Sequence, residues 1–127
     1  MSADKNVSVV RRFFEELCNE RRAEIGGGIL TSDTRYIDPQ IPDVAGVSAV
    51  VAVLAVYQNG VNGFWDVQEI LAAGDDRVVA RWIGRGTHVA EVNGIPPTGA
   101  TIAVSALSLF RFEGGKIAEH YCNWDTL

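Results

Sequence analysis

The first periodic segment of the chain carries an apolar residue at every third or fourth position, which is the spacing of one helix face. The apolar residues are Val7, Val10, Phe13, Phe14 and Leu17, and charged residues fill most of the positions between them. The pattern predicts an amphipathic helix of roughly five turns. Three glycines at 26–28 should break any helical continuation, and 29–33 is expected to be a short connection.

Two short elements are predicted in the middle of the chain. Residues 34–38 have the composition of a strand, which Pro39 would stop. The apolar stretch 48–58 is ambiguous, because its β-branched residues suit a strand. Its length, its alanines and Ser48 as an N-cap favour a buried helix, which Asn59 and Gly60 would end.

The second half of the chain consists of strand patterns separated by turn residues. Strands are predicted over 64–73, 77–90, 101–112 and 116–124, with turns at 74–76 and 113–115 and a loop at 94–99. Gly84 and Gly86 within the second of these strands suggest a bend or a bulge. Helices followed by an antiparallel meander define an α+β fold, and 127 residues fit a single domain, 1–127.

Composition and charge exclude several classes of function. The net charge of −5 and the absence of a basic stripe argue against nucleic acid and against an anionic membrane as partners. The polar N-terminus predicts no signal peptide, and no apolar run is long enough to span a membrane. Two cysteines without a CxxC spacing are expected to be free thiols in a reducing cytoplasm, and two unpaired histidines predict no zinc site.

The last predicted strand carries an unusual concentration of polar and aromatic side chains. Because a strand alternates its faces, one face would hold His120, Cys122 and Trp124. The opposite face would hold Glu119, Tyr121, Asn123 and Asp125. Whichever face points inward, polar groups enter the interior, where they cost free energy unless they are paired or used.

Three segments together resemble a known family. They are 81–88 (RWIGRGTH), 94–99 (GIPPTG) and 110–120 (FRFEGGKIAEH), set in the order helix, strand, helix, four strands. The chain resembles the SnoaL-like polyketide cyclases of the nuclear transport factor 2-like (NTF2-like) superfamily. The resemblance implies a cone-shaped fold, in which a curved antiparallel sheet packs against N-terminal helices around a deep apolar pocket. It also implies a homodimer formed through the outer face of the sheet, no metal or organic cofactor, and ring closure on a polyketide ester.

The chain departs from that family at its catalytic positions. Aligned on Gly115, Lys116 and Ile117, the family's last-strand aspartate is replaced by Cys122 and its histidine by Ser108. A thiol, with an ordinary pKa of about 8.5, cannot simply replace a carboxylate base. Epoxide hydrolase-like relatives need an Arg-x-Asp pair, for which Arg81 is present but Ile83 stands at the partner position.

The remaining candidates are few. Asp38, at a strand end that opens into the pocket in this family, is predicted to be the proton shuttle, although an Asp-Pro turn would also explain it. His120 is predicted to assist as a catalytic residue, although a structural histidine would also fit. An aromatic-rich set is predicted to bind the substrate: Phe14, Tyr36, Tyr57, Trp65, Trp82, His88, Ser108, Cys122 and Trp124.

Two classes of function remain open. The first is a cofactor-independent cyclase or isomerase of secondary metabolism, such as antibiotic biosynthesis, in which Asp38 moves a proton on an apolar polyketide-type molecule. The second is a non-catalytic protein that binds an apolar small molecule. The replacement of the family aspartate by Cys122 favours this class, because it removes the catalytic carboxylate. An epoxide hydrolase-like enzyme with a rearranged site is a further alternative.

Overall fold

A computed structural model describes residues 2–125 of the chain. Helix α1 (Ser2–Arg12) continues into a π-helical segment (Phe13–Asn19), and a 3₁₀ turn (Ala23–Ile25) leads to the short helix α2 (Gly26–Ile29). Helix α3 (Val47–Gly60) follows in the middle of the chain. The strands are β1 (Leu30–Ile37), β2 (Val44–Ala45), β3 (Phe64–Ala72), β4 (Arg77–Thr87), β5 (Thr101–Glu113) and β6 (Lys116–Trp124).

The six strands form one curved sheet in the order β2-β1-β6-β5-β4-β3. Strands β3 to β6 make the predicted antiparallel meander, but β1 pairs with β6 in parallel. The sheet is therefore mixed, and the prediction of an antiparallel sheet was wrong for this one pair. Helices packed on a sheet confirm the α+β class.

The N-terminal helix packs on the inner face of the sheet. Its predicted apolar face is buried at Val10, Phe13, Phe14 and Leu17. Phe13 and Phe14 both contact Phe110 of β5 edge-on, with ring centroids 5.5 and 5.8 Å apart. These contacts fix one end of the core.

Helix α3 was correctly predicted, but its cap was not. The N-cap is Gly46, with a φ of +96° and no capping side chain, and Ser48 lies inside the helix. Gly46 can take this positive φ without the steric cost that a side chain would bring. The apolar α3 buries Val50 and Leu54.

The glycine run and the segment after it also differ from expectation. Residues 26–28 form most of α2, and the expected connection 29–33 is largely the first half of β1. Pairing with β6 explains the change, because Thr34 donates its hydroxyl hydrogen bond to the carbonyl of Ile117 at 2.9 Å. A partner so distant in sequence leaves no local signal.

Strand β4 is regular where the sequence suggested a bulge. Its register with β5 runs without a shift through Gly84 and Gly86 and ends at Thr87, three residues before the predicted end. Gly86 instead allows a close approach: a Cβ there would overlap the carbonyl oxygen of Val61, which accepts the Thr87 N–H at 2.7 Å. Within 2–125, no helix has both the length and the apolarity needed to cross a bilayer.

Candidate functional site

An apolar cavity of about 220 Å³ opens between the inner face of the sheet, α3 and the segment after β4. Strands β4, β5 and β6 supply one wall, and Leu54 and Tyr57 of α3 supply another. Most of the predicted substrate-binding residues line it: Tyr36, Tyr57, Trp65, Trp82, His88, Cys122 and Trp124. Of the two faces of β6, the one that carries His120 and Cys122 points inward: both residues are buried, whereas Tyr121 and Asn123 are exposed.

Phe14 and Ser108 are not on the cavity wall but directly behind it. The Phe14 ring packs on Trp82 at a centroid distance of 5.9 Å and is fully buried. The Ser108 hydroxyl accepts a hydrogen bond from Trp82 Nε1 at 2.9 Å. Both residues therefore fix the orientation of the Trp82 indole, which does line the cavity.

Asp38 is buried behind the cavity wall, with 1% of its surface exposed. It accepts hydrogen bonds from the Tyr36 hydroxyl at 3.0 Å, from the Trp124 indole Nε1 at 3.1 and 3.2 Å, and from the Gln40 backbone N–H at 2.9 Å. The Gln40 contact is the turn that Asp38-Pro39 suggested. The other two donors belong to residues that line the cavity, so the carboxylate is one side chain away from a ligand.

His120 is enclosed by aromatic rings and does not reach the cavity wall. Its ring stacks on Phe110 at 4.1 Å and meets Tyr36 edge-on at 5.1 Å. Its Nε2 lies 2.8 Å from the Ser108 hydroxyl, and its Nδ1 has no hydrogen-bond partner among the described residues. Burial lowers the pKa of His120 to about 3, so the imidazole is neutral at physiological pH.

Burying a neutral histidine makes stability depend on pH. The unfolded chain binds a proton near pH 6.5 and the folded protein only near pH 3, so stability is complete above pH 6.5 and falls as the pH decreases. We expect His120 to account for a loss of about 1 kcal/mol in unfolding free energy between pH 6 and pH 5. Urea denaturation of the wild type and His120→Gln across this range measures it, and equal pH slopes would contradict it.

Cys122 lines the cavity as a thiol rather than a thiolate. Burial, together with the nearby charge of Asp38, raises its pKa to about 12. Cys18 is also buried and free, and burial raises its pKa as well. The predicted free thiols are confirmed, and neither cysteine has the protonation state of a base or a nucleophile.

His88 follows β4 and lies on the cavity wall, with 7% of its surface exposed. Its Nδ1 lies 3.1 Å from the hydroxyl of Thr98, and its Nε2 has no hydrogen-bond partner in the described part of the chain. The backbone fixes the residue in place, since His88 N–H bonds to Ala100 and its carbonyl accepts from Gly99.

The sequence interpretation missed the small hairpin that forms part of the cavity wall. Val92 and Ile95 pair across Asn93 and Gly94, both of which have positive φ, and both apolar side chains line the cavity. An Asn-Gly pair between apolar residues is a strong hairpin signal. That signal was available in the sequence and would have found these two residues.

The epoxide hydrolase alternative lacks its arginine at the cavity. Arg81 lies on the outer face of β4, where its guanidinium bonds Glu69 of β3 at 2.8 Å and half of its side chain is exposed. The alternation of β4 explains this, because Trp82 takes the inward position. Within residues 2–125, no three His, Cys, Asp or Glu side chains gather closely enough to hold a metal ion.

Solved structures share this fold. A protein from Jannaschia sp. CCS1, assigned to the SnoaL-like polyketide cyclases, is 25% identical, with a TM-score of 0.88 over 97% of this chain and 87% of its own. IdmH from Streptomyces antibioticus, assigned as a polyketide cyclase, is 24% identical, with a TM-score of 0.79 over 94% and 91%. A protein from Kribbella flavida DSM 17836, assigned as a ketosteroid isomerase, is 16% identical, with a TM-score of 0.75 over 98% and 81%.

Sequence comparison gives the family directly. No functionally curated protein matches the chain significantly. The sequence profile of the SnoaL-like polyketide cyclases matches residues 8–127, nearly the whole chain. The resemblance in the three sequence segments is thereby confirmed: this chain belongs to the SnoaL-like polyketide cyclase family.

Proposed function

We propose that the protein is a cofactor-independent cyclase or isomerase that acts on an apolar, polyketide-type carbonyl compound by moving a proton within the cavity. One observation carries the proposal: a buried carboxylate, Asp38, is hydrogen-bonded to Tyr36, a tyrosine of the mostly apolar cavity wall. A paired proton donor and acceptor beside an apolar cavity are what enolisation needs. The family supports the reaction class.

The proton would pass through Tyr36, because Tyr36 lines the cavity and Asp38 does not. The phenol oxygen takes a proton from the substrate carbon while its own proton moves to Asp38 Oδ2, 3.0 Å away. Burial and the charge of Asp38 raise the pKa of Tyr36 far above its ordinary value. A free tyrosinate is therefore not formed, and the two transfers occur together.

The bond changes conserve every atom of the substrate. The C–H bond next to a carbonyl breaks, and its electron pair forms a new C–C bond to a second carbonyl carbon of the same molecule. The resulting alkoxide takes the proton back from Tyr36 as Asp38 returns its proton. The reaction is an isomerisation that consumes no co-reactant.

The other site residues hold this pair in place. Trp124 and Gln40 donate to the Asp38 carboxylate and fix its position. His120 acts as a positioning residue, because its ring packs edge-on against Tyr36. Trp65 and Trp82, whose ring centroids lie 6.5 Å apart, form an aromatic surface that would hold a folded apolar chain.

Hydrogen–deuterium exchange tests the reaction without knowledge of the natural substrate. 2-Tetralone, a bicyclic ketone with acidic protons next to its carbonyl, is incubated in D₂O with the protein, and loss of the proton signal is followed by NMR. We expect exchange faster than in buffer, and slower again when tetralin, which has no carbonyl, competes for the cavity. Binding of 2-tetralone without exchange would instead identify a non-catalytic binding protein.

We also propose that two copies of the chain pair through the outer face of the sheet. An apolar row crosses four strands there, in which Leu71 lies opposite Val79, Val79 opposite Leu109, and Leu109 opposite Tyr121. Leu71 is 57% exposed and Tyr121 40% exposed. A contiguous apolar surface of this kind favours contact with another protein surface.

A substitution beside this row tests the dimer. Leu107, next to the row on β5 and 55% exposed, is replaced by arginine, whose charge cannot be buried without a partner. Light scattering should give twice the chain mass for the wild type and the chain mass for Leu107→Arg. Val89→Arg, at a residue 56% exposed outside this face, should keep the wild-type mass. A monomeric wild type would contradict the dimer.

A further inference from the structure

Three buried side-chain nitrogen or oxygen atoms in the described part of the chain have no hydrogen-bond partner: Thr31 Oγ1, His120 Nδ1 and His88 Nε2. Of the residues that carry them, only His88 lines the cavity. An unpaired buried polar group costs free energy, so such a group beside a ligand cavity indicates a partner on the ligand. His88 follows β4 and Asp38 follows β1, with β6 and β5 between these strands.

The contact with Thr98 favours the tautomer of His88 that carries its proton on Nε2. The Thr98 hydroxyl oxygen lies 3.1 Å from His88 Nδ1 and already accepts the backbone N–H of Ala100 at 3.2 Å. The Thr98 hydroxyl hydrogen is then available to bond to His88 Nδ1, and in that bond Nδ1 is the acceptor. A neutral imidazole that accepts at Nδ1 carries its proton at Nε2.

We propose that the Nε2–H of His88, which is buried in the cavity wall, becomes accessible when the ligand binds and donates a hydrogen bond to a ligand oxygen, that of a ketone, ester carbonyl or hydroxyl. The ligand is thus an apolar molecule with an oxygen at the His88 side of the cavity, in addition to the carbonyl at the Tyr36 side. Thr98 is a positioning residue, since it acts only through the ring. This inference rests on the proposed function for the cavity. It adds that the ligand carries a second oxygen, a hydrogen-bond acceptor, at the His88 side.

Matched ligands test the hydrogen bond. 2-Tetralone and tetralin have the same fused rings and differ at the carbonyl. Because 2-tetralone has a single oxygen, it samples the two positions one at a time: with its carbonyl at His88 it reports the hydrogen bond, and in the reverse orientation, with its carbonyl side at Tyr36, it undergoes exchange. Their affinities are measured by NMR from the indole N–H signals of the three tryptophans, all of which line the cavity. The measured quantity is the ratio of the two affinities, which cancels changes that affect both ligands alike. Loss of the donor in His88→Leu should reduce the preference for the ketone about tenfold.

Two further variants separate hydrogen bonding from structure. His88→Gln keeps an N–H donor near the Nε2 position and should retain part of the preference. Thr98→Val removes the hydroxyl that sets the tautomer, at an exposed position, and should give an intermediate ratio. The carbonyl stretch of bound 2-tetralone should also shift to higher frequency in His88→Leu, because the hydrogen bond is lost.

The outcomes distinguish this inference from the proposed function. An unchanged affinity ratio and carbonyl frequency in His88→Leu would overturn the role of His88. Exchange catalysed by the wild type would still support the proposed function in that case. If His88→Leu loses the preference for 2-tetralone over tetralin but the wild type catalyses no exchange, the hydrogen bond from His88 is supported and the proposed catalysis is overturned. Failure of both ligands to shift any indole signal in the wild type would overturn both.

Discussion

Replacing Asp38 by asparagine is expected to lower the rate of 2-tetralone exchange by about a thousandfold. Asparagine matches the size of aspartate but cannot take the proton that Tyr36 passes on. The ligand itself should still bind, because Asp38 lies behind the cavity wall and contributes none of its surface. Exchange rates and indole NMR titrations of the same samples measure the two effects separately.

Two companion variants sharpen this experiment. Asp43→Asn changes an exposed aspartate that pairs with Arg35 at 3.2 Å outside the cavity, and it should exchange at the wild-type rate. Tyr36→Phe removes the phenol and should lose about as much rate as Asp38→Asn. A fully active Tyr36→Phe would show that the proton does not pass through Tyr36. A fully active Asp38→Asn would overturn the assignment of the carboxylate.

Gly86→Ala is expected to lower the unfolding free energy by about 3 kcal/mol, or the melting temperature by about 10 °C. The added Cβ would overlap the Val61 carbonyl oxygen. That oxygen is fixed by its bond to the Thr87 N–H, so neither backbone segment can move freely. Because Val61 also lines the cavity, affinity for 2-tetralone should fall too.

Gly27→Ala is the matched control for Gly86→Ala, and its effect on the unfolding free energy should have the opposite sign. Gly27 lies in the short helix α2, and a Cβ there would meet no atom within 4 Å. Alanine should therefore raise the unfolding free energy by about 0.5 kcal/mol, because it restricts the unfolded chain. Calorimetry of both variants measures the contrast. A neutral Gly86→Ala would show that β4 and Val61 are less closely packed than described.

Much of the site could be predicted because strand alternation is a strict constraint. Once β6 was identified, its period of two put Cys122 and Trp124 on one face and Tyr121 on the other. The resemblance to the family then assigned the first face, together with Ser108, to the side of the pocket. The amphipathic α1 was equally clear, since its apolar residues repeat at the helical period. These features depend on local spacing, which the sequence contains.

Features that depend on distant partners could not be predicted. The sequence of residues 30–37 does not indicate that this strand pairs in parallel with β6, because the pattern within one strand does not distinguish parallel from antiparallel pairing. The position of Asp38 behind the wall depends on Trp124, 86 residues away. The enclosure of His120 likewise depends on Phe13, Tyr36 and Phe110, which meet only in the folded chain.

The central place of β6 has a consequence for how the chain folds. Strands β3, β4, β5 and β6 can form from neighbouring hairpins, but β1 must pair with β6 across most of the chain, as the sequence separation of 83 between Thr34 and Ile117 shows. Contacts of such sequence separation form slowly, because the entropy of closing the loop is lost before any packing is gained. Asp38, although it lies only two residues from Tyr36, is therefore expected to meet Trp124 late in folding, and its burial is completed only when β1 has joined the sheet.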